Sequence, residues 1–579
     1  MKNFTDYISD KNNIISFLCK YRAKLADVRH KEHLLNGLFP DRIEIQKHNE
    51  ELESMMPPRR KWVSLKKEHR YKASNNGEEN PVSTFKANTK RLEITIYEAF
   101  KKESQEPWVK RLELFIEKVQ QAALDPNYKI ESPKTIPILK NKLNPDERNE
   151  CRPISLFSNL LDRVLLSLVN KYLTRLFNPY FDDESLAFRS SRLYHGEKKY
   201  ITTHHDAITR INEFRLKHQN KQIYVAECDM QKFYDSVSHK IIRKQLRRLF
   251  SKVQKDNPDI EIDIVRKLFY KYLNCYTFYK NVYVLNNNCA FWDRYKIPNG
   301  YFGWVNDELI KNRFCKNERY LSRTKIGIPQ GGALSGLIAN LVLNMADQKV
   351  RKIANGDYLY VRFCDDMMLM HTNKSKCKLI LKEYINALKN LQLIPHEITN
   401  ELPFRTKDFW KIKSKPVYPW GSKGSDWVGF VGYEIKRTGE IRIRKRSINK
   451  EKDKIRKITN DIRTKISNSS KRRSNGTIKS AHLHKLISMS VGKIALWNYK
   501  TIKSELCWTN GFKELTDNKY ASAQIKDLDR VRQNAIRMLA KHLAKEHNSS
   551  NIIHKDSKHK CLAYYGKPFS YYYHCLEKE

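Results

Sequence analysis

The sequence lacks the cysteine spacing of a zinc or disulfide framework. It contains eleven cysteines in 579 residues, and none forms a C-x-x-C pair or another paired zinc-ligand spacing. Isolated thiols are typical of proteins in a reducing compartment, where disulfides do not persist. The cysteine pattern therefore predicts no structural zinc and favours a cytoplasmic protein.

Long hydrophobic runs are also missing. The N-terminal stretch MKNFTDYISDKNNIISFLCK has acidic and asparagine residues where a signal peptide needs an unbroken apolar core. No run elsewhere approaches the roughly 18 apolar residues that span a bilayer. We therefore expect no membrane partner.

Negative charge is scarce relative to positive charge. The chain has 110 Lys and Arg against 64 Asp and Glu, a formal net charge of +46. Basic residues accompanied by 11% aromatic residues favour nucleic acid over an anionic membrane surface or mere solubility. The densest stretch is 436–457, with eleven basic and three acidic residues, which indicates contact with a nucleic-acid backbone.

The order of predicted elements indicates an α+β protein. Residues 1–105 are polar and lysine-rich and read as an accessory helical extension. A strand hairpin within 135–157 leads into a helix over 162–177, and 222–230 reads as a strand. Residues 250–320 are rich in Tyr and Asn, and no structure is predicted for them. A helix near 376–391, a hairpin over 427–448 and a basic helical C-terminal part follow.

The apolar run YVRFCDDMML, at 360–369, contains two adjacent carboxylates. Burying ionised carboxylates is costly unless a cation meets them. A hairpin with Cys364 and Asp365 at its tip lets Asp365 and Asp366 face one ion, and Asp229 ends a β-branched strand that can lie beside it. Three carboxylates from adjacent strands can hold two divalent ions about 4 Å apart, as in phosphoryl transfer. Oxygen ligands favour Mg²⁺ or Mn²⁺, so Cys364 is not counted as a ligand.

Six motifs, in order, resemble those of reverse transcriptases. They are RPIS (152–155), LAFRSSR (186–192), CDMQKFYDSVSH (228–239), GIPQGGALSGLIAN (327–340), RFCDD (362–366) and FVGY (430–433). The resemblance covers about 135–450 and is strongest to the bacterial branch of group II intron, retron and phage-defence or abortive-infection enzymes. It implies a right-hand polymerase fold. The implied parts are an N-terminal extension at 1–105, fingers at 106–225, a palm at 226–435 with an insertion at about 250–320, and a basic helical thumb with a C-terminal extension at 436–579.

The resemblance also implies the metal ligands. The carboxylates of Asp229 and Asp365 would bind the ions, with Asp366 assisting in the same acidic cluster. The backbone carbonyl of Met230 would be a further ligand. The implied cofactor is Mg²⁺, with Mn²⁺ as the alternative.

Nucleotide contacts follow from the same motifs. Tyr234 stands where the family places a ring under the sugar of the incoming nucleotide, which excludes a 2′-hydroxyl. Arg152 matches an arginine that binds phosphate oxygens, with Lys140 or Lys142 as its companion, and the alternative for all three is a structural salt bridge. In the GIPQGG turn, Gln330 is the expected polar contact, and Gly331 and Gly332 let backbone approach a base pair closely.

Three residues depart from the family pattern. Gly336 stands where proline is common, and Phe363 and Cys364 stand where tyrosine and a small residue are common. Phe363 keeps the ring but cannot donate a hydroxyl hydrogen bond, so primer contact is expected to differ while metal binding survives.

The resemblance implies an RNA-directed DNA polymerase, acting in anti-phage defence on an associated non-coding RNA. Its partners would be an RNA template, nascent DNA and dNTPs, and its oligomeric state stays open. The alternatives are a maturase-like RNA-binding protein, RNA synthesis, a degenerate palm used as a scaffold, and template-independent or protein-primed DNA synthesis. Tyr571 to Tyr573 would be candidate priming hydroxyls, although a packed aromatic tail is favoured.

Overall fold

A computed structural model describes residues 2–39, 50–73, 79–194, 198–303, 318–398, 406–469, 471–491, 508–546 and 569–570. Tyr571 to Tyr573 lie outside the described residues. The helices are α1 Phe4–Ser9, α2 Lys11–Leu38, α3 Glu50–Ser54, α4 Lys67–Arg70, α5 Thr84–Lys101, α6 Pro107–Leu124, α7 Leu160–Phe177, α8 His204–Lys217, α9 Phe233–Ser236, α10 His239–Asp256, α11 Asp263–Asn274, α12 Phe278–Asn281, α13 Cys289–Arg294, α14 Glu318–Arg323, α15 Ser335–Ile353, α16 Lys374–Asn390, α17 Lys407–Lys411, α18 Lys445–Asn468, α19 Asn475–Val491 and α20 Lys519–Lys545. The strands are β1 Tyr71–Ala73, β2 Glu79–Pro81, β3 Lys134–Leu139, β4 Asn149–Leu156, β5 Arg192–Tyr194, β6 Lys198–Tyr200, β7 Ile223–Cys228, β8 Gly300–Tyr301, β9 Tyr358–Phe363, β10 Asp366–His371, β11 Lys415–Trp420, β12 Trp427–Phe430, β13 Tyr433–Lys436 and β14 Ile441–Ile443.

The chain divides into two units, and helices and sheets occur in both, so the expected α+β class is confirmed. The first unit comprises Met1–Ile14 and Leu114–Asp426, and the second comprises Ile15–Glu113 and Trp427–Glu579. The assignment of fingers, palm and thumb stays a prediction. Among the described helices, none combines the length and apolarity required to cross a bilayer.

A four-stranded sheet in the order β11-β7-β10-β9 lies at the centre of the first unit. Its strands β7 and β10 are built from apolar side chains that are almost all buried, as expected for central strands. Helix α16 packs against β7, β10 and β11, and also against α15. Helix α15 buries Leu337, Ile338, Leu341 and Val342, whose spacing of i, i+1, i+4 and i+5 puts them on one apolar side of the helix.

A second sheet in this unit pairs β3 with β4 in an antiparallel hairpin, as predicted. The short strand β8 joins β4 in parallel. Strand β8 belongs to the segment 250–320, for which no structure was predicted. In its described part that segment folds into α11, α12, α13, β8 and α14 around a cluster that includes Tyr276, Phe278, Trp292 and Phe302.

The second unit contains a three-stranded antiparallel sheet in the order β12-β13-β14, followed by three helices. Helix α18 buries Ile448, Ile455 and Ile462, which recur every seven residues and so form one stripe. Helix α20 packs against α18, α19 and β14. The predicted hairpin over 427–448 is thus a three-stranded sheet, and α18 begins before the end of that range.

A buried ion pair joins the central sheet to α15. The Arg362 guanidinium and the Asp347 carboxylate are both fully buried, and Arg362 Nη2 lies 2.6 Å from Asp347 Oδ2. The Tyr360 hydroxyl donates to the same carboxylate at 2.6 Å. Arg362 also donates to Ser185 Oγ at 2.8 Å and to the Cys364 carbonyl at 2.8 Å. These contacts fix the end of the β9–β10 hairpin to its surroundings.

We predict that Asp347→Ala destabilises the protein strongly, because it leaves a buried guanidinium without its carboxylate. Breaking a buried pair in this way costs about 3–5 kcal/mol. The measurement is the free energy of unfolding in urea. The matched control is Asp293→Ala, which removes an exposed carboxylate on α13 and should change the free energy little. Equal stability of the two variants would contradict the prediction.

Candidate active site

The first structural feature of the site is the tight turn between β9 and β10. Cys364 and Asp365 form this turn between the paired residues Phe363 and Asp366. Cys364 has a positive φ of 59°, which is unusual for a residue other than glycine, and its carbonyl accepts the hydrogen bond from Arg362. The predicted hairpin tip is therefore present, and a buried side chain supports its conformation.

Strand β7 brings Asp229 to this turn. Cys228, the last residue of β7, pairs with Met367 of β10, so Asp229 follows at the same edge of the sheet as Asp365. Burial, followed by the negative charge of Asp229, raises the pKa of Asp365. The structure thus brings together two of the three predicted carboxylates. Asp366 directly follows Asp365 in the sequence and is exposed.

The donors at this edge fit a hard divalent ion. Asp229 and Asp365 offer carboxylate oxygens whose mutual repulsion a cation would relieve. Met230 is buried and bridges to Pro395, and no described residue donates a hydrogen bond to its carbonyl. Among the described residues, no three His, Cys, Asp or Glu side chains converge as a metal site. Convergence of Asp366 with the other two aspartates therefore stays a prediction.

Sequence reasoning missed the cations beside Asp229. Asp229 Oδ2 lies 3.6 Å from Lys413 Nζ and 3.7 Å from His396 Nε2. Ser414 Oγ accepts a hydrogen bond from the Asp229 amide at 3.0 Å, although the two residues are 185 positions apart. Burial, and then the charge of Lys413, lowers the pKa of His396. Lys413 is therefore the neighbour that offsets the charge of Asp229.

A second pair of an acid and a lysine joins β7 to β11, and its acid lies two residues before Asp229. Lys415 of β11 pairs in register with Glu227, and its ammonium contacts Glu227 Oε2. The Tyr418 hydroxyl donates to Glu227 Oε1 at 2.6 Å. The spacing Lys413-x-Lys415 thus matches Glu227-x-Asp229 across the two strands. This matching spacing is the one feature of the sequence that could have indicated that Lys413 lies beside Asp229. It could be used only if the pairing of β11 with β7 were already known.

Tyr234 lies on α9 close to the turn. Burial, and then the nearby Cys364 and Asp365, raise the pKa of its hydroxyl. Its carbonyl accepts a hydrogen bond from the Ile328 amide at 2.7 Å, which ties α9 to the start of the GIPQGG turn. The structure therefore places the predicted sugar-contacting ring beside the carboxylate pair.

The GIPQGG turn is held from both sides. Gln330 Nε2 donates to Asp235 Oδ1 at 2.7 Å, and the Gln330 carbonyl accepts from the Ser155 amide at 2.9 Å. Gly331 is exposed with a positive φ of 94°. A Cβ at Gly332 would lie 2.2 Å from the Tyr272 hydroxyl oxygen, so close packing demands glycine there. Gln330 is thus a support of the turn as well as a candidate nucleotide contact.

The structure shows which side chains surround Gly336 and Phe363, two of the residues that depart from the family pattern. A Cβ at Gly336 would lie 2.5 Å from the Phe188 ring, so the ring occupies the space that a larger residue would need. The Phe363 ring meets the His204 ring edge-on, with centroids 6.3 Å apart.

The three predicted phosphate contacts lie on or next to the β3–β4 hairpin. Arg152 is exposed on β4 and has no ion pair with any described residue. Lys142 is exposed in the connecting loop and is likewise without a partner among the described residues. Lys140 forms an ion pair with Glu150, whose Oε1 also lies 3.2 Å from Lys232 Nζ. Lys140 therefore forms a salt bridge, which was the alternative to a phosphate contact. Arg152 and Lys142 form none with a described residue.

Comparison with protein families gives a match over residues 138–397, to the family described as reverse transcriptase (RNA-dependent DNA polymerase). Residues 138–397 therefore resemble a reverse transcriptase domain. The members of the matched family are RNA-dependent DNA polymerases, which are nucleotidyltransferases. The reverse transcriptase domain includes all ten predicted site residues, from Lys140 to Asp366. No curated protein sequence matches the chain.

The solved structures similar to the chain include three structures of telomerase from two Candida species. Apo telomerase from Candida tropicalis truncated from its C-terminal domain has 15% identity and a TM-score of 0.32, over 54% of this chain and 55% of that chain. Apo telomerase from Candida tropicalis has 12% identity and a TM-score of 0.37, over 72% and 60%. Telomerase from Candida albicans, in complex with the TWJ fragment of telomeric RNA, has 12% identity and a TM-score of 0.33, over 81% and 76%. The chain thus spans about half of the truncated telomerase.

A buried histidine links α10 to the GIPQGG turn in the reverse transcriptase domain. His239 Nε2 lies 2.7 Å from the Gly327 carbonyl oxygen, and its Nδ1 has no partner among the described residues. Burial lowers the pKa of His239 to about 4. The ring is therefore neutral in the folded protein and donates one hydrogen bond to the turn.

We predict that His239 makes the folded protein less stable in acid. Since the folded-state pKa is about 4 and the unfolded value is about 6.5, the unfolded chain binds more protons between these pH values. The stabilisation is complete above pH 6.5 and is lost as the pH falls through 4, by roughly 3 kcal/mol. Urea unfolding at several pH values, for the natural chain and for His239→Phe, measures it. Identical pH dependence of the two would contradict the prediction.

Proposed function

We propose that the chain is an RNA-directed DNA polymerase that adds deoxynucleotides to a primer at the site of Asp229 and Asp365. The observation that supports this function is the pair of carboxylates at a hairpin edge inside a reverse transcriptase domain. Their placement on two adjacent strands of one sheet makes the site rigid, as positioning a phosphoryl group requires.

The metal ligands would be Asp229, Asp365 and the Met230 carbonyl, with Asp366 assisting. Two Mg²⁺ ions, or Mn²⁺ in their place, would stabilise charge on the attacking and leaving oxygens when bound. Lys413 Nζ and His396 Nε2 lie 3.6 and 3.7 Å from Asp229 Oδ2, close to the carboxylate without a hydrogen bond to it. The oxygen-only donor set is the reason for proposing these ions rather than zinc.

The incoming dNTP would be bound by residues around this pair. Arg152 is exposed, and its guanidinium fork, which suits triphosphate oxygens, has no ion pair with a described residue. Lys142 likewise has no described ion-pair partner to leave before it contacts phosphate, whereas Lys140 pairs with Glu150. The Tyr234 ring would pack against the sugar. The exposed backbone at Gly331 would lie along the nascent base pair, next to Gln330.

We further propose a bacterial enzyme of the cytoplasm that acts in anti-phage defence. Its template would be an associated non-coding RNA, and its other partners would be dNTPs and nascent DNA. The six motifs resemble those of that bacterial branch, and a net charge of +46 favours polyanionic partners such as RNA.

We predict that Asp365→Asn abolishes DNA synthesis while the protein stays folded. Loss of a charged ligand removes several kcal/mol of transition-state stabilisation, roughly a thousandfold or more in kcat. The measurement is incorporation of each labelled dNTP, with Mg²⁺, by the chain purified with its bound RNA. The matched control, Asp259→Asn, changes an exposed acid of the same unit and should retain full activity. Undiminished incorporation by Asp365→Asn would exclude the proposed site.

We predict that Tyr234→Ala weakens discrimination against ribonucleotides, because the ring no longer occupies the space beside the sugar. The ratio of kcat/KM for a dNTP to that for the matching rNTP should fall by at least tenfold, roughly 1.4 kcal/mol. Tyr234→Phe is the matched control, since it keeps the ring and removes only the hydroxyl. An unchanged ratio in Tyr234→Ala would remove Tyr234 from this role.

A further inference from the structure

Helix α10 presents a row of cations on its exposed side. Its sequence, HKIIRKQLRRLFSKVQKD, contains seven Lys or Arg residues and one acid, at its last position. Four exposed cations, Lys240, Lys244, Arg247 and Lys255, are spaced i, i+4, i+7 and i+15, which puts them on one side of the helix. We call these four residues the basic face. It covers about 22 Å at 1.5 Å per residue.

The opposite side of α10 is apolar and buried. It comprises Ile242, Leu246, Leu249, Phe250 and Val253, and the helix packs against α7 and α15. A helix that lies on a lipid surface inserts its apolar side into the membrane. Since that side of α10 is already covered by protein, the basic face does not have the chemistry of a membrane anchor.

The cations of the basic face are not neutralised within the protein. None of the four forms an ion pair or hydrogen bond through its side chain with a described residue. Toward the described residues, these four side chains therefore leave their positive charge available to a partner.

This arrangement is unfavourable for an isolated helix. Lys240 and Lys244 are like charges at i, i+4, as are Arg243 and Arg247, and such pairs destabilise a helix. Lys240 also places positive charge in the first turn, where the helix dipole disfavours it. A bound polyanion relieves both effects, because each phosphate sits between neighbouring cations.

We propose that the basic face binds the phosphate backbone of a structured RNA segment next to the stretch being copied. The inference rests on the proposed function, which makes RNA a partner. His239, at the start of α10, contacts the GIPQGG turn through Gly327. The basic face therefore begins beside the turn and leads away from it. Contacts to phosphate position a nucleic acid without reading its sequence.

The test is RNA affinity as a function of salt. The variant Lys240→Gln/Lys244→Gln/Arg247→Gln/Lys255→Gln is made in the inactive Asp365→Asn chain, so that binding is measured without synthesis. The probe is an RNA duplex of about 20 base pairs, somewhat longer than a double-stranded RNA-binding domain spans. The slope of log affinity against log salt should become less steep by roughly 3 to 4, since each phosphate contact on a duplex contributes about 0.9.

The matched control removes the same charge elsewhere. It is Lys118→Gln/Lys129→Gln/Arg294→Gln/Lys389→Gln, which changes three lysines and one arginine that are exposed on separate parts of the first unit. It should lower the slope much less. Equal slopes in the two variants would overturn the proposal, and so would loss of binding to a DNA duplex or to anionic vesicles with unchanged RNA binding.

The same substitutions in the active chain separate this proposal from the proposed polymerase. On a short primer and template that ends near the site, the basic-face variant should extend the primer at the natural rate. Absent synthesis by the natural chain would count against the polymerase, whereas normal synthesis with an unchanged salt slope would count against the basic face alone.

Discussion

The buried pair of Arg362 and Asp347 is the interaction on which the proposed site depends. Two ions with no exposed surface are costly to bury, and their attraction offsets that cost only if the remaining donors and acceptors are satisfied. Tyr360, Ser185 and the Cys364 carbonyl satisfy them. Because one of these bonds reaches the turn residue Cys364, the same contacts that hold the sheet against α15 also hold Asp365 in position.

In the proposed site, unlike in the Arg362–Asp347 pair, the acids are not neutralised by a closely paired cation. Burial raises the pKa of Asp365, and the negative charge of Asp229 raises it further. Lys413 Nζ offsets the charge of Asp229 from 3.6 Å, so the carboxylate oxygens are not tightly paired. A cation-binding site needs carboxylates that their surroundings hold rigidly and that nearby cations do not fully neutralise. Arg152 and Lys142 are exposed and have no ion pair within the described part of the chain, so they are available to a phosphate ligand.

Much of the first unit was accessible to sequence reasoning. The apolar patterns of β7, α7, α16 and the β3–β4 hairpin predicted those elements. No structure was predicted for the segment 250–320. The helical period of Val265, Leu268, Phe269, Tyr272 and Leu273 in α11 was overlooked, whereas the aromatic cluster with Trp292 and Phe302 follows no single period. The hairpin over 427–448 was recognised in part, because a third strand as short as Ile441–Ile443 leaves too few residues for alternation to show.

The sequence by itself determined the chemistry: the aspartates at 229, 365 and 366, the order of the six motifs and the excess of positive charge. Residue type and local spacing carry that information. Only the tertiary structure decided which groups meet. Ser414 and Lys413, just before β11, contact Asp229, which follows β7. Glu150 pairs with Lys140, and four cations on one side of α10 have no ion pair with a described residue. Such contacts depend on which strands and helices become neighbours, and no local pattern records that choice.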